Sequence, residues 1–316
     1  MWILLKLTMD RNMIEFRYQE GICFQEKADT FFVRYDRRAT AVLARAGIRR
    51  AAVIGRQCRE DGGGIMTLEE FFAQVPKAAV AFSGGTDSAC LLWLAREYGC
   101  DVRAYYVKTV FQPEFELEDA RRITEELGIP LTVVEKDILS VREAAANGSD
   151  RCYHCKRALF AGLWEAARQD GYEILMDGTN ASDDAGDRPG MRALKELQVR
   201  SPLRECGITK REVRERSRKA GLFTWEKPAY ACLATRIPTG TAIAAENLRK
   251  VEQAEQALFA LGFRDFRVRM YGNGARIQVR EEQMPLVLEQ RGAVTEALKR
   301  FFPEVFLDME TRKENG

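Results

Sequence analysis

Apolar positions in the middle of the chain recur at two spacings that take turns. Short apolar runs at Ala78 to Phe82, "DVRAYYV" (101–107), "PLTVVEKD" (130–137) and "YEILMDGT" (172–179) read as strands. Between them, Leu91, Leu92 and Leu94 after Asp87, the amphipathic stretch "LEDARRITEELGI" (117–129) and a segment opening near Cys152 repeat at helical spacing. Strand and helix alternate, so the pattern predicts an α/β fold over 66–240, a parallel sheet with helices on both faces. Past about residue 240 the rhythm changes. A long helical stretch, "AAENLRKVEQAEQALFALGF" (244–263), precedes a hairpin, "FRVRMYGNGARIQV" (266–279), turned at Gly272-Asn273-Gly274; a further helix and the strand "EVFLDME" (304–310) follow. This predicts a smaller α+β domain over 241–316, for substrate binding or oligomerisation.

Residues 1–65 show no clear alternation of elements and end in "REDGGGI" (59–65), directly ahead of Met66 and the well-patterned "TLEEFF" (67–72). Two readings stay open. Either translation starts at Met66 and the glycine and acidic codons are a purine-rich ribosome-binding stretch, or this is a flexible extension joined through a glycine linker. No function is assigned to it.

The 316 residues, 46% hydrophobic and 30% charged, suffice for two domains and a substantial core. The 49 Lys and Arg against 47 Asp and Glu give a formal charge of +2, short of the basic face that nucleic-acid binding needs. The basic run Lys210 to Lys219 is interleaved with Glu212 and Glu215 and reads as a solvated helix face. No apolar stretch is long enough to span a bilayer, and "MWILLKL" is broken too soon by Asp10 and Arg11 for a signal peptide. The expectation is a cytoplasmic protein with no membrane partner, whose eight cysteines are reduced thiols available for metal binding or reactivity.

Two stretches carry chemistry. Ser83-Gly84-Gly85-Thr86-Asp87-Ser88 stands between a strand and a helix, where outward-facing backbone N–H groups and the helix dipole cradle a phosphate. The Ser83 and Ser88 hydroxyls can add donors. No Lys-Ser or Lys-Thr pair follows, so this is not the Walker form; the bland reading is an ordinary strand-to-helix turn. In "RCYHCKRALF" (151–160), Cys152 and Cys155 face one centre at a helix start, whose dipole is expected to lower their pKa. Cys232, in the loop "KPAYACLATRIPTG" (227–240), is a third candidate ligand. Three thiolates with an open position suit an iron–sulfur cluster carrying an extra sulfide; structural zinc wants four closed ligands, with His154, the only histidine, as a further candidate. A thioredoxin-like redox pair is another reading of the CxxC spacing. Cys23, Cys58, Cys90, Cys100 and Cys206 are scattered, and Cys90 reads as core.

The Ser83–Ser88 stretch resembles the SGGxDS signature of the ATP pyrophosphatase superfamily. The resemblance implies an adenine nucleotide alpha hydrolase-like sheet and cleavage of ATP between its α and β phosphates, with Asp87 helping to hold Mg2+. From about Met66 to Met309 the order SGGTDS (83–88), RCYHCK (151–156), DGTNASDDAGDRPG (177–190), RSPL (200–203), CLATRIPTG (232–240) and FRVRMYGNGARI (266–277) resembles the LarE family. Its members insert sulfur into a pyridinium dicarboxylate mononucleotide on the way to the nickel-pincer cofactor. The family has a form that sacrifices its own cysteine sulfur and a form with a three-cysteine cluster. The resemblance implies the second, a 4Fe-4S cluster on Cys152, Cys155 and Cys232 fed by a sulfide donor, because Ala231 occupies the sacrificial position.

The resemblance also implies roles for further residues. Ser83, Gly84, Gly85, Asp87 and Ser88 would grip ATP and pyrophosphate, with Lys156, Asp177 and Thr179 lining the nucleotide pocket. Arg188, Arg236, Arg267 and Arg269 fall on family-like positions and have the fork geometry that grips phosphate or carboxylate; Thr235 and Asp183 would join them at the substrate. Glu255 resembles an active-site acid and a homo-oligomer is expected. Three rival classes stand beside this reading: a tRNA thiolation enzyme of the same superfamily, an ammonia-using synthetase of the NAD or GMP type, and a non-catalytic nucleotide-binding module.

Overall fold

The computed structural model describes residues 66–183 and 189–312, with the backbone of four strands nearer the N-terminus. Cys23, Cys58 and Arg188 lie outside the described residues. The four strands form two antiparallel hairpins, β1 (Ile3–Met9) with β2 (Asn12–Tyr18) and β3 (Phe24–Lys27) with β4 (Thr30–Val33). The sequence reading predicted no elements there; the alternation of Ile14, Phe16 and Tyr18 with Glu15 and Arg17 is the strand signal it passed over. Residues 1–65 and 66–316 are separate compact units.

The second unit opens on α1 (Leu68–Gln74), started by a capping box. The Thr67 hydroxyl accepts from the Glu70 N–H, and the Glu70 carboxylate accepts from the Thr67 N–H. Then come β5 (Lys77–Ala81), α2 (Thr86–Glu97), β6 (Asp101–Lys108), α3 (Glu114–Leu127), β7 (Leu131–Glu135), α4 (Arg151–Gln169) and β8 (Leu175–Met176). The strands are parallel in the order β7-β6-β5-β8. Side chains alternate across this sheet. Val80, Val102, Ala104 and Tyr106 pack against Leu91, Leu92, Leu117 and Ile123 on one face; Ala79, Tyr105 and Leu175 meet Leu163, Trp164 and Ala167 of α4 on the other. Helices therefore cover both faces, and each fully buried leucine or isoleucine contributes about 1.5–3 kcal/mol. β8 is shorter than its sequence run because the chain leaves the sheet at Asp177, whose N–H donates to the Arg200 carbonyl at 2.9 Å.

Beyond β8 lie α5 (Pro189–Glu196), α6 (Lys210–Lys219) and α7 (Ala245–Ala260). A smaller sheet follows, built from β9 (Arg267–Tyr271), β10 (Gly274–Gln278) and, after α8 (Met284–Glu289) and α9 (Arg291–Lys299), β11 (Val305–Leu307). β10 pairs antiparallel with β9 through a tight turn at Gly272, φ 56°, and parallel with β11. The core of this part joins Val251, Leu258, Val268 and Leu298 to Leu233, Ala234 and Ile237, so packing runs across residue 240 and anchors the loop that bears Cys232. No helix among the described residues is long and apolar enough to cross a membrane.

Candidate functional site

The turn after β5 is shaped by close approach. Gly84 has φ +70°, and a Cβ there would come within 2.8 Å of the Glu116 carbonyl on α3, so only glycine fits. Gly85 caps α2 with extended backbone, leaving the first N–H groups of the helix outward. Ser83 and Ser88 bond each other, Oγ to Oγ at 3.1 Å, and the Ser88 hydroxyl also donates to the Gly85 carbonyl at 3.2 Å, which stiffens the cradle. Thr86 points away, donating to the Thr224 carbonyl at 2.7 Å.

The carboxyl end of β8 lies beside this turn because β5 and β8 are neighbours. A Cβ on Gly178 would stand 2.7 Å from the Ser88 nitrogen, so the 177–183 loop is packed directly on the start of α2. Asp177 is buried and spends its carboxylate on structure, accepting from Ser201 Oγ at 2.6 Å and from Thr179 Oγ1 at 2.6 Å. Asp87 accepts from Lys210 Nζ at 2.6 Å and from Asn180 Nδ2 at 3.2 Å. Asp183, exposed at the edge of the loop, accepts from the Asn180 N–H. The Lys210–Lys219 run is thus not wholly a solvated face: Lys210 reaches the phosphate turn, Val213 and Ser217 are buried, and Arg214 donates to the Trp225 carbonyl. Interleaved charge hid this, because positions 210, 213, 214 and 217 recur at helical spacing and share one face.

The cysteine loop is held from behind. Arg236 is sealed from water, donating to both Glu255 oxygens, to the Ala231 and Cys232 carbonyls and to Thr235 Oγ1. Glu255 also accepts from the Val268 N–H at 2.9 Å and from the Tyr230 hydroxyl. Arg267 is buried, with its donors on the Phe266 and Ala229 carbonyls; Arg269 is half-buried and donates to the Thr235 carbonyl at 2.7 Å. Arg236, Glu255 and Arg267 therefore shape the loop rather than present free charge. Thr235 is half-buried and donates to the Cys232 carbonyl at 2.8 Å.

The three candidate thiols are close enough for their charges to act on one another. Cys152 is exposed, and Cys155 and Cys232 are half-buried. Burial, followed by the charges of Cys232 and Cys152, pushes the Cys155 thiol up to about 12, and burial raises Cys232 against the pull of Arg151. The expected lowering of both thiols is not found at Cys155, where burial dominates. Among the described residues no group of three or more His, Cys, Asp or Glu converges on a single metal ion, and His154 turns to Asp150, Nε2 to Oδ2 at 3.0 Å. Lys156 is half-buried against Gly190.

A cavity of about 380 Å3 over the carboxyl ends of β5 and β6 joins the two stretches, running from Ser83, Gly85 and Asp87 to Cys232. Its walls include Tyr106, Glu116, Phe160, Lys210, Lys227 and Tyr230. Cys152 and Cys155 lie outside its lining, as do Gly84, Ser88, Lys156, Asp177, Thr179, Asp183, Thr235, Arg236, Glu255, Arg267 and Arg269. Lys210, Lys227 and Glu116 are the residues that sequence reasoning missed. Lys227 donates to the Gly84 carbonyl at 3.2 Å and to Asp119 at 2.6 Å. Its place at the head of the quoted cysteine loop was a usable signal, as was the Thr209–Glu212 capping box for Lys210.

A protein-family model described as queuosine biosynthesis protein QueC matches residues 77–151. The pyridinium-3,5-bisthiocarboxylic acid mononucleotide synthase of Lactiplantibacillus plantarum is 32% identical over 220 residues, covering 69% of this chain and 80% of its own. The chain belongs to the LarE family. Protein slr1717 of Synechocystis sp. is 38% identical over 248 residues, 77% of this chain and 92% of its own. A tRNA-specific 2-thiouridylase of Clostridium botulinum is more distant, 28% identical over 182 residues, 47% of this chain and 51% of its own. As a LarE-family member the chain is an ATP-dependent sulfurtransferase, with ATP and Mg2+ as its implied ligands.

Proposed function

We propose that this LarE-family enzyme adenylates a carboxylate of a pyridinium dicarboxylate mononucleotide and then replaces the activated oxygen with sulfur, in nickel-pincer cofactor biosynthesis. The cavity joining the phosphate turn to Cys232 carries this reading. A carboxylate resists nucleophiles and an acyl-adenylate does not. The N–H groups at the start of α2 would hold the departing pyrophosphate, with Lys210 and Lys227 offsetting its charge. Asp87 would hold Mg2+, releasing Lys210 from its present ion pair for the phosphates. Arg269, with one nitrogen committed, and Arg188 would meet the anionic substrate.

Three cysteines whose charges act on one another, with Arg151 donating to Cys152 Sγ, supply a donor set whose chemistry suits a 4Fe-4S cluster better than a closed zinc site. Cys152, Cys155 and Cys232 would hold it, and it would supply an exchangeable sulfide refilled by an external donor.

Anaerobic reconstitution with iron and sulfide, then incubation with ATP and the pyridinium substrate, tests the proposal. Mass spectrometry is expected to find thiocarboxylate and AMP with the protein mass unchanged. Conversion of Cys232 to dehydroalanine would overturn the cluster form, and no substrate-dependent pyrophosphate release would overturn adenylation.

A further inference from the structure

Among the described residues, the acids around the cavity are committed, with one exception. Asp87 is held by Lys210, Asp119 by Lys227 and Glu255 by Arg236. Glu116 lines the cavity half-buried, and among the described residues its carboxylate has no hydrogen bond or ion pair. Its backbone fixes its place, because the Glu116 carbonyl is packed on Gly84. Lys227 and Arg236 from the cysteine loop, Lys108 and Tyr106 from β6 and Asp119 on its own helix face it. Tyr106, on the same wall, is also unengaged: its hydroxyl is buried without a partner. An unpaired carboxylate and an unpaired hydroxyl in the wall of the cavity that also holds Ser83 and Cys232 mark a place where a ligand's polar atoms belong.

We propose that Glu116 accepts the proton released in the sulfur-transfer step, a role that rests on the function proposed above. A hydrosulfide sulfur attacks the carbonyl carbon of the acyl-adenylate. The C–S bond forms, the C–O bond to AMP breaks with its electron pair leaving on the phosphate oxygen, and the S–H proton passes to the Glu116 carboxylate. Thiocarboxylate and AMP result with no net oxidation or reduction. The other acids could take this proton only by giving up an ion pair. Burial, offset in part by Lys227 and Arg236, pushes Glu116 up to about 7, where a carboxylate is both substantially ionised and able to hold a proton.

The test uses the reconstituted full-length protein as wild type, Glu116→Gln and Glu116→Asp. Single-turnover thiocarboxylate formation and substrate-dependent ATP–pyrophosphate exchange are measured from about pH 5.5 to about 9, with hydrosulfide itself held constant because hydrogen sulfide ionises in this range. E116Q is expected to slow thiocarboxylate formation about 100-fold and to lose the wild-type rise with pH, with exchange reduced far less; E116D should recover part of the rate. Equal losses in both half-reactions, or a pH rise that persists in E116Q, would overturn the role of Glu116 and leave the proposed function standing. Exchange without thiocarboxylate in the wild type would instead sink the proposed function, and this role with it.

Discussion

Arg236 and Glu255 form an ion pair closed to water, with Nε 2.9 Å from Oε1 and side-chain exposures of 0% and 2%. The pair ties α7 and β9 to the loop that carries Cys232. Desolvating two charges offsets most of their attraction, so the intact pair adds little net stability, whereas removing one partner strands a buried charge. Glu255→Gln and Arg236→Met are each expected to lower the unfolding free energy by about 3–5 kcal/mol, read from urea midpoints at constant slope. The R236M/E255Q double variant should cost less than the two single changes together.

Gly178 predicts a different failure, because a Cβ there meets the backbone of Ser88 and Asp87, which has nowhere to go. Gly178→Ala is expected to cost about 1–3 kcal/mol and to weaken ATP binding by displacing the first turn of α2. Gly292→Ala on α9, with open space around the position, should be neutral or stabilising by about 0.5 kcal/mol. Thermal unfolding and nucleotide titration of both variants check the contrast.

The α/β order and the hairpin at 266–279 were legible because each follows from local periodicity. The roles of single charged groups were not. Arg236 and Arg267 have the residue type of a substrate clamp, yet Arg236 is spent on the Glu255 carboxylate and the Ala231 and Cys232 carbonyls, and Arg267 on the Phe266 and Ala229 carbonyls, partners that residue type alone does not announce. Glu116 sits in an amphipathic helix with acids at 114, 118 and 119, and nothing in that spacing says which one faces the cavity. The Cys155 thiol was not legible for the same reason. A helix start is visible in sequence, but the burial that raises Cys155 is tertiary.

Lys210 and Asp87 are 2.6 Å apart and partly exposed, so their ion pair is worth at most about 1 kcal/mol to folding. Its weight falls on the nucleotide instead. Lys210→Met is expected to leave the unfolding midpoint nearly unchanged and to lower kcat/KM for pyrophosphate release about 10- to 100-fold, the loss of one charged hydrogen bond to phosphate. A stability loss matching the activity loss would assign Lys210 to the fold.

Asn147, fully buried with φ 57°, clamps the far end of the cysteine loop. Its Nδ2 donates to the Pro238 and Thr241 carbonyls at 2.9 and 3.0 Å, and its carbonyl accepts from the Gly240 N–H. Asn147→Ala is expected to cost about 2–3 kcal/mol and to loosen the loop. Iodoacetamide should then label Cys232 faster than in the wild type with no change at buried Cys90, which peptide mass mapping resolves.

The raised Glu116 carboxyl also sets a pH dependence of stability. Its ordinary value is 4.5 and its folded value about 7, so between these the native state keeps a proton that the unfolded chain has released. Stability from this group is therefore complete below about pH 4.5, falls as pH rises, and is gone above about 7, a change of at most about 3 kcal/mol that solvent at the half-buried carboxylate reduces. Glu116→Gln carries no charge to desolvate. It is expected to be more stable than the wild type by about 1–3 kcal/mol at about pH 8, with the gap closing below about pH 5. Urea titrations at both pH values check this, and a gap independent of pH would mean that the carboxylate is solvated in the folded protein. The direction matters for the chemistry, because a base kept unpaired in a half-buried cavity wall weakens the fold at the pH where it is ionised and ready to accept a proton.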